Sequence, residues 1–337
     1  MPETANSCWV ISDGAAGNER QALALAARLG LGARVWQLDP APPWSWLAPR
    51  LLPGARLALP AGQRSQFAPP WPALAIGCGR AAALYTRGLR RWSGGRTFSV
   101  QILDPRIAPS HYDLVIAPRH DRLHGANVLN PLGSLNPIDD AWLADGAAAF
   151  PDLAQLPSPR RVVLFGASHR EVAVDTQYCV SLVEALARQQ ERHGGSFLVS
   201  TSRRTPGVLA GFLRSAFARF PGVFWRGPED GPNPYAGFLA HADAIFVTPD
   251  SVNMLSEACA VGVPVTTWLP QPARGKLARF HQALIESGHL RLLGEARNAE
   301  RPAPLRETEA VAAEVRRRAG MREAGSAIRD PGSGIRD

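Results

Sequence analysis

Short apolar runs alternate along this chain with glycine- or serine-bearing turns and then with segments of helical periodicity, the pattern of βα units in a parallel sheet. Residues 9–11 run into Ser12-Asp13-Gly14-Ala15-Ala16-Gly17 and a helix expected over 19–29; residues 74–76 run into Gly77-Cys78-Gly79 and a helix reaching about residue 91. Residues 98–103 and 114–117 read as further strands of the same sheet. A Pro- and Ala-rich stretch over about 150–159 marks a domain boundary, and a second series follows: strand 162–165, helix 176–190, strand 197–200, helix 208–219, strand 244–247 and helix 252–261. The expectation is an α/β protein of two doubly wound, Rossmann-like domains facing a central cleft, an acceptor-side domain over 1–150 and a donor domain over 151–296. Residues 297–337 form a charged segment, and the repeat Ser326-Ala-Ile-Arg-Asp and Ser333-Gly-Ile-Arg-Asp near its end suggests that the last fifteen or so residues are disordered.

Length and composition narrow the picture. A chain of 337 residues that is 45% hydrophobic can bury two cores. No run approaches the roughly 18 to 20 apolar residues of a membrane span, and the start lacks a secretory pattern, so a cytoplasmic protein is expected. Cys8, Cys78, Cys179 and Cys259 form no metal-ligand spacing and read as buried thiols. Of the 37 lysines and arginines only Lys276 is a lysine, which argues against a Walker loop. Pro272, four residues before it, excludes the Tyr-x-x-x-Lys chemistry of sugar reductases and epimerases. A net charge of +8 suits anionic partners such as phosphates or acidic lipids, and no specific nucleic-acid motif accompanies it.

In such sheets ligands bind beyond the carboxyl ends of strands, where helix N-termini attract phosphate. Three turns of the second half qualify: Gly166-Ala167-Ser168, Ser202-Arg203-Arg204-Thr205 and Asp250-Ser251-Val252-Asn253. Each also has a reading as helix capping alone. Glu257 sits on the second turn of the helix after the third, within reach of a ribose whose phosphate is held at the helix start, and otherwise reads as a surface residue. In the first half, Ser12, Gly14, Gly17 and Asn18 form a matching loop. Asp13, or the pair His120 and Asp121 at another strand end, are candidates for a general base. There is no Asp-x-Asp to hold a metal, so leaving-group charge falls to helix N-termini and to Arg203, Arg204 or Lys276; no cofactor and no metal are expected. Gly77-x-Gly79-x-x-Ala82 reads as a tight turn rather than a dinucleotide fingerprint. Between Pro40 and Pro72, tryptophans interleave with Arg50, Arg56 and Arg64, which suits either an inserted loop packed on its own domain or a membrane interface.

The segment Ser251 to Pro264 resembles the donor-binding helix of GT-B glycosyltransferases, in particular the N-acetylglucosaminyltransferase that forms lipid II, where a Ser-Glu pair precedes a Gly-x-Pro turn. More closely, about residues 8–293 resemble the mitochondrial-fission family known from plant elongated-mitochondria mutants, whose bacterial members are regarded as GT-B transferases. The residues that carry this are Ser12-Asp13-Gly14 with Gly17 and Gln21, Gln101 with Asp104-Pro105-Arg106, Pro118 with His120-Asp121, Asn127-Val128, Ser202-Arg203-Arg204-Thr205, Asn233-Pro234-Tyr235, Asp250-Ser251 with Met254 and Ser256-Glu257, and Lys276 with Arg279-Phe280-His281. The resemblance implies a GT-B fold and metal-independent transfer of a sugar from a nucleotide-diphosphate donor to a lipid-linked or cell-envelope acceptor, at the inner face of a membrane. It places Asn233, Tyr235 and Lys276 with the donor residues, and Gln101, Asp104 and Arg106 with the acceptor-side loop. Members often have His where this chain has Asn18, which removes a proton acceptor from that loop. A GT-B nucleotide-sugar 2-epimerase or hydrolase and a non-enzymatic, membrane-associated fission-type factor share the architecture.

Overall fold

The apolar runs form strands buried on both faces, as a parallel sheet covered by helices requires. In a computed structural model, which describes residues 7–38, 40–50, 53–294 and 301–321, strands Cys8–Ser12 (β1), Ala33–Gln37 (β2), Leu74–Cys78 (β3), Phe98–Ile102 (β4), Leu114–Ile116 (β5) and Val128–Leu129 (β6) form one sheet in the order β2-β1-β3-β4-β5-β6. Strands Arg160–Phe165 (β7), Ser196–Thr201 (β8), Gly222–Trp225 (β9), Ala244–Val247 (β10), Val265–Thr267 (β11) and Arg291–Leu292 (β12) form a second, ordered β12-β11-β10-β7-β8-β9. Every pairing in both is parallel. The strands that sequence periodicity does not announce are short or lie toward the sheet edges; β2 and β9 leave most of their side chains partly or fully exposed, so neither presents an apolar run.

Helices Ala16–Arg28 (α1), Trp44–Leu47 (α2), Ala61–Arg64 (α3), Arg80–Trp92 (α4) and Asp140–Ala149 (α5) belong to the first part of the chain. Thr176–His193 (α6), Gly207–Phe217 (α7), Tyr235–Ala240 (α8), Val252–Ala260 (α9), Gly275–Glu286 (α10) and Thr308–Ala319 (α11) follow. Asp139, Asp175 and Ser251 start α5, α6 and α9 by accepting from backbone N–H groups three residues on, each satisfying an otherwise unpaired donor. Among the described residues, no helix is long and apolar enough to cross a membrane.

Two segments exchange sides. α5, in the chain's first 150 residues, packs on α8, and Trp142, Leu143 and Phe150 join the second core. The charged segment after residue 296 does not stay apart: α11 returns to the first half, where Val311, Ala312 and Val315 pack with α1. Glu307 fixes that return by accepting from the N–H groups of Leu132 and Gly133 at 2.8 and 2.9 Å. A simple division at residues 150 and 296 is therefore corrected by two crossovers. The expectation of disorder in the last fifteen or so residues lies outside the described residues.

The Pro- and Trp-rich insert also divides. Phe67 is fully buried against Trp9, Trp36 and Tyr85, and Trp71 stacks near Trp92, so part of the insert is core. Trp46, Leu47 and Leu57 remain exposed, Trp46 at 73%.

Candidate functional site

The three phosphate-suited turns of the second half meet at the carboxyl ends of β7, β8 and β10, and a buried carboxylate locks them together. Asp250 accepts from the Ala167 N–H at 3.0 Å, the Thr248 hydroxyl at 2.7 Å and the Arg204 guanidinium at 2.9 Å. Burial pushes its pKa up, against the pull of those hydrogen bonds and of Arg204. Gly166 is explained by the same contact, since a Cβ there would stand 2.1 Å from an Asp250 oxygen. Gly166 and Asp250 thus hold the three turns together from beneath. Ser202 and Thr205 tie the second turn down: Thr205 Oγ1 donates to Gly166 O at 2.7 Å and sits 3.1 Å from Ser202 Oγ. Ser168 Oγ accepts from Val174 N. Arg203, beside the braced Arg204, is exposed and makes no hydrogen bond or ion pair among the described residues.

At the start of α9, Ser251 Oγ accepts from Met254 N at 3.3 Å. The N–H groups of Val252 and Asn253 have no hydrogen-bond partner among the described residues. Two free donors stand at the positive end of a nine-residue helix, beyond a parallel strand, an arrangement whose dipole and N–H groups favour negative charge.

One turn further along, Glu257 is 5% exposed and not a surface residue. Its two oxygens accept from Arg20 Nη1 at 2.9 Å and Tyr235 Oη at 2.5 Å, and Arg20 lies over the Tyr235 ring. Burial raises its pKa, and Arg20 and Tyr235 only partly oppose the rise. Because Arg20 belongs to α1, Glu257 clasps the two halves in this state, and a ribose reaching it must share or replace Arg20. Asn253 works beside it: its Oδ1 accepts from Gln21, and a Cβ on Gly17 would meet its Nδ2 at 2.2 Å. Gly17 therefore lets α1 approach α9, whereas Gly14, with φ +80 and open space around it, supplies the turn of the first loop. Asn233 accepts from the Tyr235 N–H and so starts the turn that presents Tyr235.

The first half presents Asp13 at the exposed end of β1. Its carboxylate accepts from Ala15 N at 3.1 Å and from Asn18 Nδ2 at 3.2 Å, while Ser12, fully buried, accepts from Gly14 N. Gln101 does not face the cleft; it is buried in β4 and donates to Gly79 O and Ile102 O. Asp104 accepts from Arg106 N at 2.7 Å. Leu103, Arg106 and Arg122 take positive φ, so strained non-glycine backbone gathers at the carboxyl ends of β4 and β5, as it often does where function needs it.

His120 and Asp121 are placed differently from the general-base expectation. Both are buried, and Asp121 pairs with Lys276 of α10 while Arg279 donates twice to His120 O. The His120 ring packs edge-on against Phe280, and burial holds its pKa below the ordinary value. They form a second clasp between the halves, which takes Lys276 with it. Of the three candidate bases, Asp13 alone has an exposed side chain. Sequence reasoning missed Arg20 and Glu171; Glu171 accepts from Leu277 N at 2.9 Å and caps α10. Nothing local marks Arg20, whose partner lies 237 positions away.

A family model described as "Mitochondrial fission ELM1" matches residues 16–319. The mitochondrial fission protein ELM1 of Arabidopsis thaliana is 30% identical over 287 residues, covering 77% of this chain and 66% of the plant protein, so the chain spans just under two thirds of that relative's length. Among solved structures, the UDP-GlcNAc 2-epimerase from Methanocaldococcus jannaschii aligns with a TM-score of 0.56 at 14% identity, over 92% of this chain and 98% of that one. A structure of the Methanocaldococcus jannaschii UDP-GlcNAc 2-epimerase in complex with UDP-GlcNAc and UDP aligns at 0.53 with 13% identity, again over 92% and 98%. At such identity the likeness shows the fold, which is of the GT-B type.

Proposed function

The chain belongs to the mitochondrial fission ELM1 family, and we propose that it binds a nucleoside-diphosphate sugar at the carboxyl end of its second sheet and transfers the sugar, without a metal, to an acceptor at the cytoplasmic face of a membrane. The observation that carries this reading is the pair of free N–H donors at the start of α9, which follows Asp250, the carboxylate that holds the Arg204 turn; Arg203 of that turn has no partner among the described residues. In the proposed reaction the diphosphate rests on these donors and the ribose hydroxyls engage Glu257 and Tyr235. Asp13 takes the proton of an acceptor hydroxyl as its oxygen bonds the anomeric carbon. The bond from that carbon to the diphosphate breaks, and the negative charge is received by the α9 N-terminus and Arg203, groups already in place before the reaction. The exposed Trp46, Leu47 and Leu57, with Arg50 and Arg56 nearby in the chain, suit a membrane surface that carries the acceptor.

A second reading, a nucleotide-sugar 2-epimerase, is favoured by the extent of the fold shared with that enzyme class. A thermal-shift panel of nucleotide sugars, followed by analysis of products with and without membrane extract, tests both. Stabilisation by a nucleotide sugar with acceptor-dependent release of nucleoside diphosphate supports transfer. A changed sugar still bound to the nucleotide supports epimerisation. No stabilisation by any nucleotide overturns both.

A further inference from the structure

The far side of the first half carries a concavity that the proposed reaction does not use. It lies at the amino ends of β4 and β5, opposite the strand ends that present Asp13 and Asp104, has a volume of about 470 Å³, and is lined by Arg87, Arg90, Arg91, Gly94, Gly95 and His111. The three arginines stand three and four positions apart on α4, so they share one helix face.

Arginines near a helix C-terminus are ordinarily explained by the helix dipole or by hydrogen bonds to the last carbonyls. Here the carbonyls of Leu89, Arg90 and Arg91 already accept from Ser93, Gly95 and Gly94. Gly94 and Gly95 both take positive φ, which folds the chain back under the helix and leaves the concavity open. The nearby carboxylate does not neutralise the group either. Asp113 accepts from Arg90 Nε, Ser99 N and Ser99 Oγ, each at 2.8 Å, so its single negative charge offsets one of the three arginines and leaves two. Arg87 is half-buried and Arg91 exposed, and neither makes a hydrogen bond or ion pair among the described residues. Burial first, and then the charges of Arg87 and Arg90, hold the His111 imidazole below its usual pKa.

We propose that this concavity binds a phosphate-bearing anion, a phosphate monoester or diphosphate group, held by Arg87, Arg90 and Arg91. Guanidinium forks match tetrahedral oxyanions at two points each, and a dianion with three or more oxygens can engage several forks where a single carboxylate cannot. The site lies beyond the opposite ends of the strands from the α1 and first-half loops, so its occupant is not the donor undergoing reaction. It serves instead to hold the protein on a phosphate-bearing molecule or surface.

His111 is a local reporter, which separates this site from any phosphate binding near α9. The full-length chain, labelled for imidazole NMR, is titrated with pH in the presence and absence of inorganic pyrophosphate, and separately with vesicles of phosphatidylcholine with and without phosphatidate. A bound dianion raises the His111 pKa, saturably, and Arg87→Gln weakens the response tenfold or more, with Arg91→Gln as a second, exposed variant that leaves the fold alone. A response to pyrophosphate identifies a soluble ligand; a response only to phosphatidate vesicles identifies a lipid headgroup; either supports the site. A His111 pKa unmoved by both probes, or moved equally in the wild type and in both variants, overturns it.

Discussion

Replacing Arg20 by Ala should destabilise the protein more than replacing its partner Glu257 by Gln, although the two share one ion pair. Glu257 is 5% exposed and Arg20 45% exposed. Removing Arg20 strands a buried carboxylate with Tyr235 as its remaining donor. Breaking a fully buried pair costs about 3–5 kcal/mol, and solvent screening of a guanidinium half in water reduces this to about 1–2 kcal/mol. Glu257→Gln instead removes the buried charge and keeps the shape: the amide oxygen accepts from Arg20 and the amide nitrogen donates to the Tyr235 oxygen, for a cost of less than about 1 kcal/mol. In the Arg20→Ala background the same change should recover about 1 kcal/mol. Urea denaturation of the full chain, with midpoint and slope read separately, measures all three. The pH dependence carries a sign. Since burial raises the Glu257 pKa in the folded state above the unfolded value of about 4.3, its contribution is full below that value and is lost as pH rises through the folded one. Glu257→Gln should therefore gain on the wild type as pH rises from about 4 toward 7. A Glu257→Gln cost exceeding that of Arg20→Ala, or a gap between Gln variant and wild type that shrinks with rising pH, would refute this account of the clasp.

Three further outcomes follow from the site. Because Arg20 occupies the carboxylate that a ribose would use, Arg20→Ala should tighten nucleoside-diphosphate binding severalfold in calorimetry; weaker binding would mean that Arg20 itself grips the ligand. Arg203→Ala should leave the denaturation midpoint unchanged and weaken that binding about ten- to a hundredfold, the worth of a charged hydrogen bond of roughly 1.5–3 kcal/mol, whereas Arg204→Ala should lower both stability and affinity because it releases Asp250; matched effects of the two on stability would contradict their division. Gly166→Ala, which drives a methyl into a carboxylate fixed by three bonds, should cost about 1–3 kcal/mol, and Gly17→Ala less, because it meets only the side-chain end of Asn253, held by one long bond from Gln21; a larger loss at Gly17 would refute that reading.

What the sequence disclosed and what it hid have physical reasons. The βα order was legible because buried parallel strands are continuous apolar runs, as at Val162-Val163-Leu164-Phe165, and because Asp175 and Ser251 mark helix starts chemically. The edge strands β2 and β9 were not, because a half-exposed edge needs no apolar run. Turn residues announced which strand ends would meet but not their division of labour. Arg203 and Arg204 look alike in sequence, and only the position of Asp250 decides that one braces the loop and the other stays free. The same holds for Glu257, His120 and Asp121, whose partners Arg20, Phe280 and Lys276 come from the opposite half through domain packing that local pattern does not encode. The return of α11 was masked by its charge, since Arg316, Arg317 and Arg318 surround the narrow apolar stripe of Val311, Ala312 and Val315.

The central claim is that a nucleoside diphosphate rests on the strand-end turns of the second half. Hydrogen–deuterium exchange of the full-length chain, with and without a saturating nucleoside diphosphate such as UDP, addresses it directly, because bound phosphate protects the amides that donate to it. Slowed exchange is predicted at Val252 and Asn253 and over residues 202–205, with faster exchange in α1 as Arg20 yields Glu257. Protection confined to the first half, or no change at the start of α9 under saturating ligand, would contradict the claim.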